Sequence, residues 1–278
     1  MQSLVLGTAQ WGNPYGVTNT HGRLTDEALA EIIAAAKSNG ILAIDTAGMY
    51  GDAEARLAPW AADFSITTKV RGADPQTIPA QLKASLAALG QSSIANCLIH
   101  DWAQLTEAQA NASTKQLEDM QEKGWVQQIG VSAYDETDLN RAASISGQLE
   151  IAQVPINVLD QRLINSNILQ TLALQGTRIQ ARSVFLQGLL AARSDTQLGQ
   201  HPEVIKFHDW CESNGEQPIE VALSFIKTTA PITEVVVGVT TGAELNDLAQ
   251  AWATCKQGLD IDGLTSGDIG LLDPRTWA

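Results

Sequence analysis

Residues 41–51 read ILAIDTAGMYG. An apolar run, Ile41 to Ile44, ends on Asp45, and Tyr50 follows five residues later between Met49 and Gly51. A polar residue closing an apolar strand marks the place where an α/β protein carries its chemistry, because the core is built from positions earlier in the strand. Two later stretches repeat the pattern. FSITTKV (64–70) brings Lys69 to a strand end, and NCLIHDW (96–102) does the same for His100. Together Asp45, Tyr50, Lys69 and His100 form a candidate proton-donating unit. A phenol, with an ordinary pKa of about 10, is a weak acid near neutrality and is tuned by a neighbouring cation.

Five more strand candidates lie around these three: LVLGTA from Leu4, VQQIGVSA from Val126, IAQVPINV from Ile151, TRIQARSV from Thr177 and ITEVVVGV from Ile232. Several are continuous apolar runs, as expected of parallel strands covered by helices. Helical spacing fills the intervals. Leu29, Ile32, Ile33 and Ala36 follow the cap signal Thr25-Asp26-Glu27 and precede Gly40. Ile78, Leu82, Leu86 and Leu89 precede Gly90; Leu117 and Met120 precede Gly124; Leu245, Leu248, Ala249 and Trp252 form the last stripe. Eight βα units in a chain of 278 residues predict a single-domain (β/α)8 TIM barrel over residues 1–278. A doubly wound open sheet is the rival, disfavoured because no GxGxxG turn follows the first strand and polar residues end nearly every strand. The first strand begins almost at the N-terminus, so no hairpin is expected ahead of it. Two long connections, Gln10–Leu24 and Phe185–Pro202, would both lie on the catalytic rim.

Lys and Arg total 17 against 31 Asp and Glu, a formal net charge of −14. Such a surface repels phosphate backbones and anionic lipid, so neither nucleic acid nor a membrane is expected as a partner. No signal peptide pattern opens the chain, and no apolar stretch is long enough to span a bilayer. Cys97, Cys211 and Cys255 are odd in number and lack metal-ligand spacing, so no metal site is expected. The composition is that of a reduced, cytoplasmic protein.

The segments IDTAGMYG, TTKV, LIHDW, GVSAY and QVPINVLDQR, in this order and at strand ends, resemble the aldo-keto reductase superfamily from Leu6 to about Leu248. The resemblance implies a TIM barrel that interconverts an aldehyde or ketone with its alcohol using NADP(H) or NAD(H). Tyr50 would be the general acid, Lys69 would stabilise its phenolate and lower its pKa, Asp45 would pair with Lys69, and His100 would orient the carbonyl oxygen or assist proton transfer. Ser132 and Gln153 match the residues that hold the nicotinamide carboxamide, whereas Ala133 stands where the family commonly has Asn. Arg182 stands where relatives stack an aromatic on the nicotinamide; a planar guanidinium can stack there too, or bind an anionic substrate or cofactor phosphate. In VVVGVTTGAELNDLAQ, Gly238 and Thr240 would approach the pyrophosphate and ribose near a helix N-terminus. Gly238 replaces a family Lys, and Glu244 replaces the Arg that grips the 2′-phosphate. These two residues lean to NAD(H), while the family at large favours NADP(H). Trp11, Tyr15, Met49 and Trp102 would line a pocket for a small carbonyl or alcohol substrate. Sugars or sugar derivatives suit its aromatic walls, and packing of the two tryptophans is the alternative. A catalytically silent cofactor-binding protein and a non-redox lyase or isomerase remain open on the same barrel.

Overall fold

The computed structural model describes residues 2–20, 22–229, 231–256 and 258–277. Eight strands, Ser3–Gly7 (β1), Ala43–Asp45 (β2), Ser65–Val70 (β3), Ile94–Ile99 (β4), Val126–Ser132 (β5), Ile151–Pro155 (β6), Arg178–Arg182 (β7) and Glu234–Val237 (β8), close into one barrel in sequence order. Every neighbouring pair is parallel, including β8 on β1. The structure is the (β/α)8 barrel expected from the sequence. Among the described residues no strand precedes β1.

Register decides where the chemistry lies. Gly7 pairs with Asp45, Asp45 with Thr67, Ser132 with Gln153, and Pro155 with Arg182. The C-terminal strand ends are therefore close to level, and the residues chosen from sequence share one rim. Helices return the chain to the opposite rim, and their ends are chemically marked. The Thr25 side chain accepts from the Ala28 N–H at the start of helix Asp26–Ser38. Thr106 and Gln109 form a reciprocal capping box on helix Glu107–Glu122, and Gly90 ends helix Ile78–Leu89 with φ 64°.

The main core lies between barrel and helices, with Leu6, Ile32, Ile44, Ile66, Leu82 and Ile99 among its members. Each such buried aliphatic side chain stabilises the fold by roughly 1.5–3 kcal/mol before chain entropy is counted. A second cluster, including Leu159, Leu186, Leu189, Phe207 and Leu271, anchors the long segment after β7 to helix Pro202–Asn214 and the C-terminal residues. The barrel interior is partly polar. Gln153 Nε2 donates to Gln180 Oε1 (3.2 Å), Gln180 Nε2 to Glu234 Oε2 (2.7 Å), and Asn96 Nδ2 to Thr67 Oγ1 (2.8 Å). These bonds satisfy amides that would be costly to bury alone. No described helix is long and apolar enough to cross a membrane.

Candidate active site

Three of the four residues from the first strand ends form a direct chain. Lys69 Nζ lies 2.6 Å from Asp45 Oδ2, 3.0 Å from the Thr46 carbonyl and 3.4 Å from Tyr50 Oη. Lys69 is 2% exposed and Asp45 4%, so the pair is an ion pair removed from water. His100 meets the Tyr50 ring edge-on at 6.0 Å between centroids. The loop carrying Tyr50 is set by a close approach between two backbones. A Cβ on Gly12 would lie 1.8 Å from the Tyr50 carbonyl oxygen, and Gly51 turns with φ +61° against the Gly12 carbonyl. Gly12 thus sets the backbone that carries the phenol.

Electrostatics assign the protonation states. Burial pushes the Tyr50 phenol above its usual range; Lys69 pulls it down, and Asp45 opposes that pull. Lys69 lowers the phenol pKa as its place beside Tyr50 implies, but desolvation outweighs the cation and the net shift is upward. Burial works against the Lys69 charge, yet Asp45 and Tyr50 outweigh it and hold the ammonium above its ordinary value. Burial, aided by Lys69, Arg182 and Arg71, drives the His100 imidazole down to about 3. At neutral pH the site thus holds a protonated phenol, a charged lysine and a neutral histidine. With Tyr50 as the proton donor that the resemblance implies, rates of carbonyl reduction should stay flat from about pH 5 to about pH 9, while alcohol oxidation should climb with pH as the phenolate forms. A reductive limb near the ordinary histidine pKa would contradict this assignment.

Asp45, Tyr50 and His100 line a cavity of about 960 Å³ whose lining also includes Asp247. Its catalytic end is lined by Asp45, Tyr50, His100, Ser132, Gln153 and Arg182; its far end by Gly238, Thr240, Glu244 and Asp247. Gln153 Nε2 is committed to Asp45 Oδ1 (2.6 Å), so among the described residues its carbonyl oxygen has no protein partner. The Ser132 hydroxyl likewise has none. An unpaired acceptor beside an unpaired hydroxyl suits a carboxamide, and a cavity of about 960 Å³ has room for a dinucleotide, so the residues present fit a nicotinamide cofactor.

At the far end the structure revises one expectation. The Thr240 N–H (2.7 Å) and hydroxyl (2.9 Å) both donate to the Glu244 carboxylate, so Thr240 holds Glu244 in place rather than offering free donors to a phosphate. The Glu244 N–H in turn donates to Thr241 Oγ1 at the start of helix Gly242–Thr254. A Cβ on Gly238 would lie 2.5 Å from Gln10 Nε2, so the Gln10 amide covers the position where relatives carry Lys.

The substrate residues divide. Tyr15 lines the cavity from the loop after β1. Trp11 and Trp102 do not: both are wholly buried. Trp11 packs in the main core, and its carbonyl accepts from Arg56 Nη1. Trp102 Nε1 donates to the Asp138 carbonyl (2.9 Å) beneath the Arg141 guanidinium, which pins the loop that follows His100. Large apolar rings gain more from the barrel–helix interface than from a wet cavity. Met49 lies behind His100, its sulfur 3.1 Å from His100 Nδ1 and 3.1 Å from Arg71 Nε, so it steadies the imidazole outside the cavity lining.

Cavity residues that escaped the sequence reading include Gln10, Tyr134, Ser183 and Arg275. The Tyr134 ring lies between two guanidinium groups, Arg182 at 4.3 Å and Arg275 at 3.6 Å. Ser183, Leu186 and Gln187 have φ of 60°, 45° and 54°. Three non-glycine residues in the left-handed region are a store of backbone strain, about 1–3 kcal/mol each, held here by the second core cluster. Tyr134 follows a motif already singled out and was within reach; nothing in the sequence pointed to Arg275.

A barrel rim with a Lys–Asp–Tyr unit beside a dinucleotide-sized cleft defines a barrel oxidoreductase. The chain belongs to the aldo/keto reductase family, whose model matches residues 3–263. Among solved structures it is similar to a putative aldo-keto reductase from Pseudomonas aeruginosa (19% identity, 91% of this chain and 90% of that one, TM-score 0.68). It is also similar to a glycerol dehydrogenase from Gluconobacter oxydans (20%, 98% and 92%, 0.73) and to a thermostable aldo-keto reductase in complex with the inhibitor epalrestat (21%, 95% and 95%, 0.74). No curated protein is a significant match. At these identities the solved structures establish the fold; the family supports nicotinamide-dependent carbonyl chemistry.

Proposed function

We propose that this protein reduces a small polyhydroxylated aldehyde or ketone, of the sugar-derivative class, with NADH. The observation that carries the reading is the Asp45–Lys69–Tyr50 chain opening into the catalytic end of the cleft. When bound, the reduced nicotinamide supplies the hydride. Ser132 and the free Gln153 carbonyl oxygen would hold its carboxamide, with Arg182 beside the ring. Tyr50 donates its phenolic proton to the carbonyl oxygen as negative charge develops there. Lys69 stabilises the phenolate left behind, and Asp45 keeps Lys69 charged and aimed. His100, neutral, hydrogen-bonds the same oxygen and fixes the carbonyl's orientation. Tyr15 offers a ring face and a hydroxyl to a polyol chain, a combination suited to sugars.

The NADH preference rests on Glu244. Its carboxylate, anchored by Thr240, repels a 2′-phosphate and accepts from a ribose hydroxyl, while Gln10 over Gly238 leaves no cation in the place of the family Lys. Glu244→Gln retains an acceptor for Thr240 and removes the charge. It should move the NADH/NADPH preference toward NADPH by about tenfold, roughly 1.4 kcal/mol. The test is consumption of each reduced cofactor, followed by absorbance, against a panel of sugar aldehydes, ketoses and simple carbonyls. Absence of turnover with every member would refute the proposal, and a native preference for NADPH would refute its cofactor half.

A further inference from the structure

We infer that Arg182 makes the site discriminate between the redox forms of its cofactor, favouring the neutral reduced nicotinamide and repelling the cationic oxidised one. The inference rests on the reading above, that a nicotinamide occupies the catalytic end. It follows from the charges around that space. Lys69 is cancelled by Asp45 at 2.6 Å. Arg275 is clasped by Asp273, and Arg193 by Asp209 and Glu212. Glu244 and Asp247 lie at the far end of the cleft. Arg182 is different. It lines the catalytic end, half-buried, and among the described residues no carboxylate pairs with it. Its Nη2 donates to the Ala133 carbonyl (3.2 Å) and its Nη1 to Ser183 Oγ (3.3 Å), both uncharged partners, and its guanidinium faces the Tyr134 ring. Arg71, beyond Met49, adds charge of the same sign. The catalytic end of a strongly acidic protein therefore carries a net positive charge.

The reacting ring must lie within reach of a carbonyl held by Tyr50, in the space walled by Ser132, Gln153 and Arg182. A dihydronicotinamide is neutral and electron-rich, and a guanidinium attracts such a face. A pyridinium carries a full positive charge, and the same guanidinium repels it in surroundings less screening than bulk water. Both forms share the rest of the dinucleotide, so contacts at the far end cancel in the comparison. A site built this way accepts reduced cofactor, sheds oxidised cofactor, and resists inhibition by it. The protein is thereby biased to work as a reductase.

Dissociation constants for NADH, NAD⁺, NADPH and NADP⁺, measured by calorimetry on the wild type, Arg182→Gln and Arg182→Lys, test this without turnover. The oxidised form of the preferred dinucleotide should bind about tenfold or more weakly than the reduced form in the wild type. The gap should close to about threefold or less in Arg182→Gln and persist in Arg182→Lys, with thermal midpoints confirming that each variant is folded. Equal binding of both forms by the wild type, or a gap unchanged in folded Arg182→Gln, overturns the inference while leaving the oxidoreductase reading intact. Failure of the folded wild type to bind any of the four overturns that reading itself.

Discussion

Replacing Tyr50 by Phe is expected to lower the rate of carbonyl reduction by about 10²–10⁴-fold, with cofactor affinity and thermal midpoint close to wild type. The substitution removes one oxygen. That oxygen's protein partner is Lys69 Nζ at 3.4 Å, a long contact that contributes little to folding. Lys69 keeps its stronger partners, Asp45 and the Thr46 carbonyl, and the aromatic ring retains its edge-on contact with His100. The fold has no reason to respond. The reaction does, because His100 is held neutral and Lys69 is committed as a cation, so neither replaces the phenol as proton donor. Single-turnover decay of the reduced cofactor would read the chemical step directly. A rate within tenfold of wild type would show that the proton comes from elsewhere.

Much of this site was legible because its residues end strands. Asp45, Lys69, His100, Ser132, Gln153 and Arg182 each close or follow an apolar run, and parallel register brings such positions to one rim. What the sequence did not show depends on tertiary contacts. Trp11 and Trp102 follow strands too, β1 and β4, but an aromatic side chain satisfies a core and a cleft equally well, and only tertiary packing chooses. Thr240 lines the cleft, but Glu244, four residues on, takes the hydrogens expected to face the pyrophosphate and ribose. The Gln153 amide could have turned either way; its commitment to Asp45 depends on a partner 108 positions distant in sequence. Arg275 reaches Tyr134 from the C-terminal segment, and no local pattern encodes such a meeting.

The Asp45–Lys69 pair should show the largest effect on stability. Asp45→Asn leaves a wholly buried ammonium facing a neutral amide, and Lys69→Met leaves a buried carboxylate with Gln153 Nε2 as its remaining side-chain partner. Each single variant should lose about 3–5 kcal/mol, because breaking a buried pair exposes the full desolvation penalty of the remaining charge. The double variant Asp45→Asn/Lys69→Met buries no charge here. It should regain most of that loss, since the attraction between buried ions does little more than offset the cost of removing both from water. Activity should follow a different rule. Tyr50 is already held above its ordinary pKa by burial, and without Lys69 nothing nearby opposes that rise except the more distant Arg182. The double variant should therefore be stable and nearly inactive. Urea midpoints and rates on the same four proteins separate the two roles. Stabilities that simply add would show that the pair is not coupled through its charges, and recovery of rate along with stability would show that Lys69 serves the fold and not the phenol.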